Sequence, residues 1–341
     1  MKKIIMTGVT LAMLAALLNG CGNTARVEND EDRIITASEL EKRSADVSVV
    51  SELAVSSVAE PELAQTSVLP EVTPEVTAVE ETITSEQVGL TDDMTYASYS
   101  AIHTGTATLY KNAMANAKGI TVCVNAGHGT SGGSSAQTQC HPDGSAKVTG
   151  GSTAAGSTYA TAVSGGTTFL DGTAESTVTL QTALYLKDQL LNNGYSVLMI
   201  RETEDVQLDN VARTVLANTY ADCHIALHWD STESDKGAFY IKVPSVDSFK
   251  SMEPVASTWQ KSDQFGECLV QGLEEAGRTI MSGRSMEIDL TQTSYSSIPS
   301  IDIELGDRAS DHSDATLQQI ADGLLKGVDH YFTEYAAQFQ G

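Results

Sequence analysis

The chain has 341 residues, 41% of them hydrophobic, with 45 acidic against 20 basic side chains and a formal net charge of −25. So acidic a balance excludes the basic face with which proteins neutralise nucleic-acid phosphates. Length and apolar content support one sizeable buried core, and cysteines without a CxxC spacing exclude a cysteine-held zinc cluster.

Lys2 and Lys3 precede the apolar run Ile4 to Leu18, too short to span a bilayer, and Asn19-Gly20-Cys21 follows it. The pattern LLNGC resembles a bacterial lipoprotein box. It implies that residues 1–20 are a signal peptide and that cleavage leaves Cys21 as the lipid-bearing first residue. The protein is then expected outside the cytoplasm, anchored to the bacterial cell membrane. Residues 21–100 are rich in acidic side chains, carry Pro61, Pro70 and Pro74, and lack a sustained apolar period. They read as a disordered, self-repelling linker. Residues 101–341 are left for one α/β domain.

The first strong strand signal is Ile120-Thr121-Val122-Cys123-Val124, which stops at Asn125. Gly127 and Gly129 then flank His128, giving its backbone freedom at a strand's end, where an imidazole is well placed to hold a metal. Residues 131–172 are rich in Ser, Gly and Thr and read as a long surface insertion at the mouth of any site built on His128, where it would gate or shape access. His141 lies inside it without an evident partner and reads as solvated. Glu175 opens a helix whose apolar face is Val178, Leu180, Ala183, Leu184, Leu186, Leu190 and Leu191, ending at Asn192-Asn193-Gly194. A carboxylate in a first helical turn also has a plain explanation in the helix dipole.

A strand over Tyr195 to Ile200 ends at Arg201, and a second helix runs from Asn210 to Tyr220 with Arg213 and Asn218 on it. The next strand, Cys223 to Leu227, closes with His228-Trp229-Asp230. His224 and His228 stand four apart, the spacing of a metal-binding helix, but the intervening Ile225-Ala226-Leu227 and the missing glutamate favour a strand. That leaves His228, at the strand's end, as a ligand and His224 as a packed side chain. A helix is expected around Phe265 to Met281, then a strand from Pro299 to Ile303 that Glu304-Leu305-Gly306 terminates. Cys123 and Cys223 read as buried thiols, with a disulfide left open.

Four groups, His128, Glu175, His228 and Glu304, therefore fall at or beside element ends. Two imidazoles and one carboxylate are a ligand set of catalytic zinc, and a further carboxylate can serve as general base and acid. The segments VNAGHG, AESTVTL, SVLMIRETEDVQLDNVARTVLAN, ADCHIALHWDS and IPSIDIELG, in that order, resemble the zinc-dependent N-acetylmuramoyl-L-alanine amidases of the type 3 amidase family over about residues 118–338. The resemblance implies an α/β fold with a mainly parallel twisted sheet between helices. It implies a zinc ion held by His128, Glu175 and His228, and Glu304 as the catalytic residue. It further implies a hydrolase of peptidoglycan that cuts the amide between the lactyl group of N-acetylmuramic acid and L-alanine, and the protein is expected to be a monomer. Arg201, Arg213 and Asn218 also fall on family positions, where structural hydrogen bonding is the expected role. The chain departs from the pattern in its long insertion, in Asn125-Ala126 before the glycine-flanked histidine, and in Ser310. Two rival readings remain: a lipoprotein that keeps fold and zinc but only binds wall fragments, and a zinc peptidase acting on peptides without sugar.

Overall fold

The computed structural model describes residues 82–335. The signal segment, Cys21 and the linker as far as residue 81 lie outside the described residues. In chain order the strands are β1 Ile83–Gly89, β2 Thr106–Asn112, β3 Thr121–Ala126, β4 Gln137–Gln139, β5 Tyr159–Thr161, β6 Ser196–Met199, β7 Cys223–Asp230, β8 Ala238–Lys242, β9 Ile280–Glu287 and β10 Ser300–Asp307. The helices are α1 Glu175–Asn192, α2 Asn210–Tyr220, α3 Asp247–Lys250, α4 Val255–Glu275, α5 Thr291–Tyr295 and α6 Asp314–His330. Eight strands make one sheet in the order β1-β2-β6-β3-β7-β10-β8-β9, while β4 and β5 pair with each other inside the insertion. β3 runs parallel to β6 and β7, β7 to β10, and β8 to β9. The sheet is mainly parallel and lies between helices, as the sequence leads one to expect.

The strand period of two decides which helices cover which face. Val122 and Val124 of β3, with Val197 and Met199 of β6, pack against Leu186 of α1, Leu269 of α4 and Ile320 of α6. Cys123 and Leu198, one residue out of phase, pack against Ala212 and Leu216 of α2 on the opposite face. Both faces of the centre are thus buried, which is why these strands read as continuous apolar runs rather than as alternation.

Two expectations change. Residues 82–100 are not linker: β1 pairs antiparallel with β2 over its whole length, from Ile83 opposite Asn112 to Gly89 opposite Thr106. The sequence hides this because β1 is an edge strand, in which Val88 alone is buried. Beyond it, Tyr96 packs edge-on and Tyr99 at a tilt against Tyr295, which closes the small apolar cluster around Val211 and Val215. The helix expected around Phe265 to Met281 instead starts at Val255 and ends at Glu275, and Ile280 and Met281 begin β9. Its first half buries Thr258 and Ser262, small polar residues that leave no apolar stripe to read.

Deleting residues 82–100 from the full chain should therefore destabilise the domain. Losing the buried Val88 together with the partly buried Leu90, Met94 and Tyr99 costs about 3 kcal/mol or more, which corresponds to a fall in melting temperature of at least roughly 6 °C. An unchanged melting temperature would show that this segment is dispensable.

Candidate metal centre

At the end of β3 the backbone turns sharply, and His128 adopts a φ of 63°, a conformation that few side chains take. Gly127, just before it, passes under the His228 ring; a Cβ there would come within 2.6 Å of His228 Nε2 and of the Leu227 carbonyl oxygen. The turn is tied by two buried guanidinium groups. Arg213 donates to the carbonyl oxygens of Leu208, Ala126 and His128 and to the side-chain oxygens of Asn125 and Thr130, at 2.6–3.1 Å. Arg201 donates to the carbonyl oxygens of Ala126, Gly127 and Ser176 at 2.7–3.1 Å. Burial pulls Arg213 down to about 9 and Arg201 to about 10, because no carboxylate lies in ion-pair contact with either among the described residues. Asn218 donates to the Tyr295 carbonyl oxygen at 2.9 Å, so all three polar side chains are structural, as expected.

The three candidate ligands come from three elements and meet. His128 Nε2 lies 2.8 Å from Glu175 Oε1, and His228 Nδ1 lies 3.0 Å from His128 Nε2 and 3.2 Å from Glu175 Oε1. One donor atom from each fits within a 4.8 Å span. The other side of each group is engaged. His128 Nδ1 donates to the Ser164 carbonyl oxygen at 2.9 Å, which fixes the tautomer that leaves Nε2 a lone pair. Glu175 Oε2 accepts from the Thr167 amide at 2.7 Å, and Oε1 accepts from the Trp229 amide at 3.0 Å. Burial penalises the Glu175 carboxylate, but the two imidazoles outweigh it and hold the group well below the usual carboxylate range. His228 is pushed up to about 10: burial opposes its charge, and Asp302, then Glu175 and Glu304, more than offset that. Two imidazoles and a carboxylate with converging donor atoms, His128 and Glu175 held from behind by backbone groups, suit a divalent cation, which would displace the proton that the surrounding carboxylates favour on His228.

Glu304 sits opposite His228 in the parallel pairing of β10 with β7. Its Oε2 is buried and has no hydrogen-bond partner. Burial, then the neighbouring Asp302, pushes its carboxyl well above the usual range. Together with the three candidate ligands it lines a cavity of about 590 Å³. Asp302 lines the same cavity and carried no role in the sequence reading. The signal was available, since Asp302-Ile303-Glu304 alternates and Ile303 is core, which puts both carboxylates on one face of the strand.

His224 is fully buried, paired through Nε2 with Asn125 and through Nδ1 with Ser300, and burial lowers it to about 3. It is a packed side chain, as its place within the strand predicts. His141, expected to be solvated, is 1% exposed and takes both Asp289 carboxylate oxygens at 2.9 Å on Nε2. Lys147 Nζ also contacts Asp289, at its carboxylate and, as a donor, at its backbone carbonyl oxygen. The partner is missed from sequence because Asp289 lies in the segment between β9 and α5, far along the chain. This buried trio fastens the insertion, in which Ser164 and Thr167 supply outer partners of His128 and Glu175. Gly166, at φ 82°, packs so close that a Cβ would lie 2.8 Å from the His128 ring and 2.9 Å from Glu175 Oε2. The insertion is thus a wall of the site and part of its support, more than the access gate its composition suggests. Cys123, Cys140, Cys223 and Cys268 are buried free thiols.

The family model described as N-acetylmuramoyl-L-alanine amidase matches residues 122–330, a span that holds every group of this site. The N-acetylmuramyl-L-alanine amidase Ami1 of Mycobacterium smegmatis superposes with a TM-score of 0.52 at 18% identity, over 63% of this chain and 97% of that one. The apo form of Ami1 from Mycobacterium abscessus does so with a TM-score of 0.50 at 21% identity, over 63% of this chain and 99% of that one. At such identities the likeness speaks for the fold. No curated protein matches the sequence. The match over most of the folded domain identifies the chain as a member of the type 3 family of N-acetylmuramoyl-L-alanine amidases.

Proposed function

We propose that the protein is a zinc-dependent peptidoglycan amidase that cleaves the bond between the lactyl carbonyl of N-acetylmuramic acid and the amino group of L-alanine. The observation that carries the reading is the meeting of His128 Nε2, Glu175 Oε1 and His228 Nδ1 within 4.8 Å, beside a cavity that Glu304 also lines. The donor set is that of a catalytic zinc site, which leaves a coordination position open. When bound there, zinc acidifies water and polarises a carbonyl oxygen.

The chain's own residues supply the rest. His128 and His228 present one lone pair each, and Glu175 a charge, at fixed positions. Glu304, with an unengaged Oε2, takes the proton of the attacking water and returns it to the nitrogen of the departing L-alanine. Residues 151–153 and 164–167 of the insertion line the cavity together with Thr291 and Gln292, giving polar surfaces for a sugar-bearing stem peptide.

Alanine at His128, Glu175 or His228 should lower both zinc content and muropeptide turnover. Glu304→Gln should keep zinc and lose roughly 100-fold or more in turnover, the scale of a positioned proton-transfer group. Metal analysis beside a muropeptide assay reads both; a zinc-free Glu304→Gln, or a zinc-loaded and fully active Glu175→Ala, contradicts the role assignment.

We also propose that Cys21 carries lipid and holds the enzyme at the membrane surface, a reading supported by the LLNGC pattern. A multi-chain anchor contributes about 0.8 kcal/mol per buried methylene. Cys21→Ser should therefore shift the protein from the membrane to the soluble fraction, and unchanged retention on fractionation would count against the anchor.

A further inference from the structure

Each candidate ligand has a group behind it that sets its direction, and for two of the three that group is backbone. The Ser164 carbonyl oxygen holds His128 at Nδ1, and the Thr167 and Trp229 amides hold Glu175. His228 has no such backbone partner. Its Nδ1 faces His128 and Glu175, and on the far side of the ring its Nε2 faces Asp302 Oδ2 at 3.6 Å. The distance is longer than a hydrogen bond and within the range of a charge contact.

Asp302 is held for this task. On β10 it is two residues from Glu304, so both carboxylates leave the strand on the cavity side while Ile301 and Ile303 enter the core. β10 is hydrogen-bonded to β7 and β8 on its two sides, and Asp302 stands opposite Ala226 and Ile241, which fixes its height relative to His228. Its side chain is 14% exposed, and its Oδ1 is buried without a hydrogen-bond partner. A carboxylate left this poorly satisfied in a protein interior costs stability unless something else depends on it.

We propose that Asp302 is the positioning residue of His228: its carboxylate, in charge contact with Nε2, favours the tautomer that carries the proton there and frees Nδ1 for the metal, and it adds negative charge beside the cation. This inference rests on the reading of His228 as a ligand. It makes the imidazole a more basic donor, as carboxylate partners of metal-bound histidines do. Asp302 is not one of the three residues whose donor atoms lie within 4.8 Å of one another.

The test is zinc affinity, measured by chelator competition on metal-stripped full-length protein, for the wild type and for Asp302→Asn, Asp302→Leu and Asp302→Glu. Asn and Leu should weaken zinc binding by about 10- to 100-fold, with Glu recovering part of the loss. The melting temperature of the metal-free protein should stay unchanged or rise in Asp302→Leu, while the rise that zinc produces shrinks. A role confined to folding would lower the metal-free melting temperature and leave zinc affinity alone, which overturns the inference. Equal affinity in the wild type, Asn and Leu proteins overturns it too while leaving His228 a ligand. A wild-type protein that binds no zinc overturns both this inference and the metal reading beneath it.

Discussion

The site depends on one constraint: the exit turn of β3 must stay closed around two buried guanidinium groups. Arg213 and Arg201 together satisfy the carbonyl oxygens of Ala126, Gly127 and His128, groups that a strand's end would otherwise leave facing a dry interior. Neither cation is paired with a carboxylate among the described residues, so each depends on peptide and hydroxyl dipoles, and the turn depends on them in return. A guanidinium serves here where an ammonium would not, because its planar fork reaches several acceptors at once. The strained φ of His128 is sustained by this over-determined network, and the ring is thereby aimed at Glu175.

From that turn the site grows by support at each level. α1 begins at Glu175, whose carboxylate accepts from amides of two other segments, at Thr167 and Trp229. Parallel pairing brings His228 of β7 and Glu304 of β10 to the same height. The insertion then closes the structure from outside. Its far end is locked by His141, Asp289 and Lys147, and its near end lies against His128 and Glu175 with no room for a side chain at Gly166. A segment rich in glycine, serine and threonine can thus be well ordered when one buried carboxylate and a few backbone contacts fix both of its ends.

Much of the fold and site was legible in the sequence, for physical reasons. Fully buried parallel strands leave short β-branched runs, so β3, β6 and β7 could be read, and α2 is bounded by the residues expected for it. The glycine-flanked histidine and the strand-end histidine announce themselves through the local chemistry they need. What was missed has the opposite character. β1 exposes most of its side chains, α4 starts on small polar residues, and the partners of His141 and His228 come from distant segments that no local period connects. The helix α6 is a different case, because Leu317, Ile320, Leu324 and Val328 stand at a readable helical spacing.

The central claim is that these residues cut one particular bond with a metal's help, and product analysis tests it most directly. Purified peptidoglycan digested with the protein should give, by mass spectrometry, stem peptides with a free L-alanine amino group and glycan with a free lactyl carboxyl. A chelator should abolish both products and added zinc should restore them. Cleavage within the stem peptide, or products that form equally well in chelator, would contradict the account.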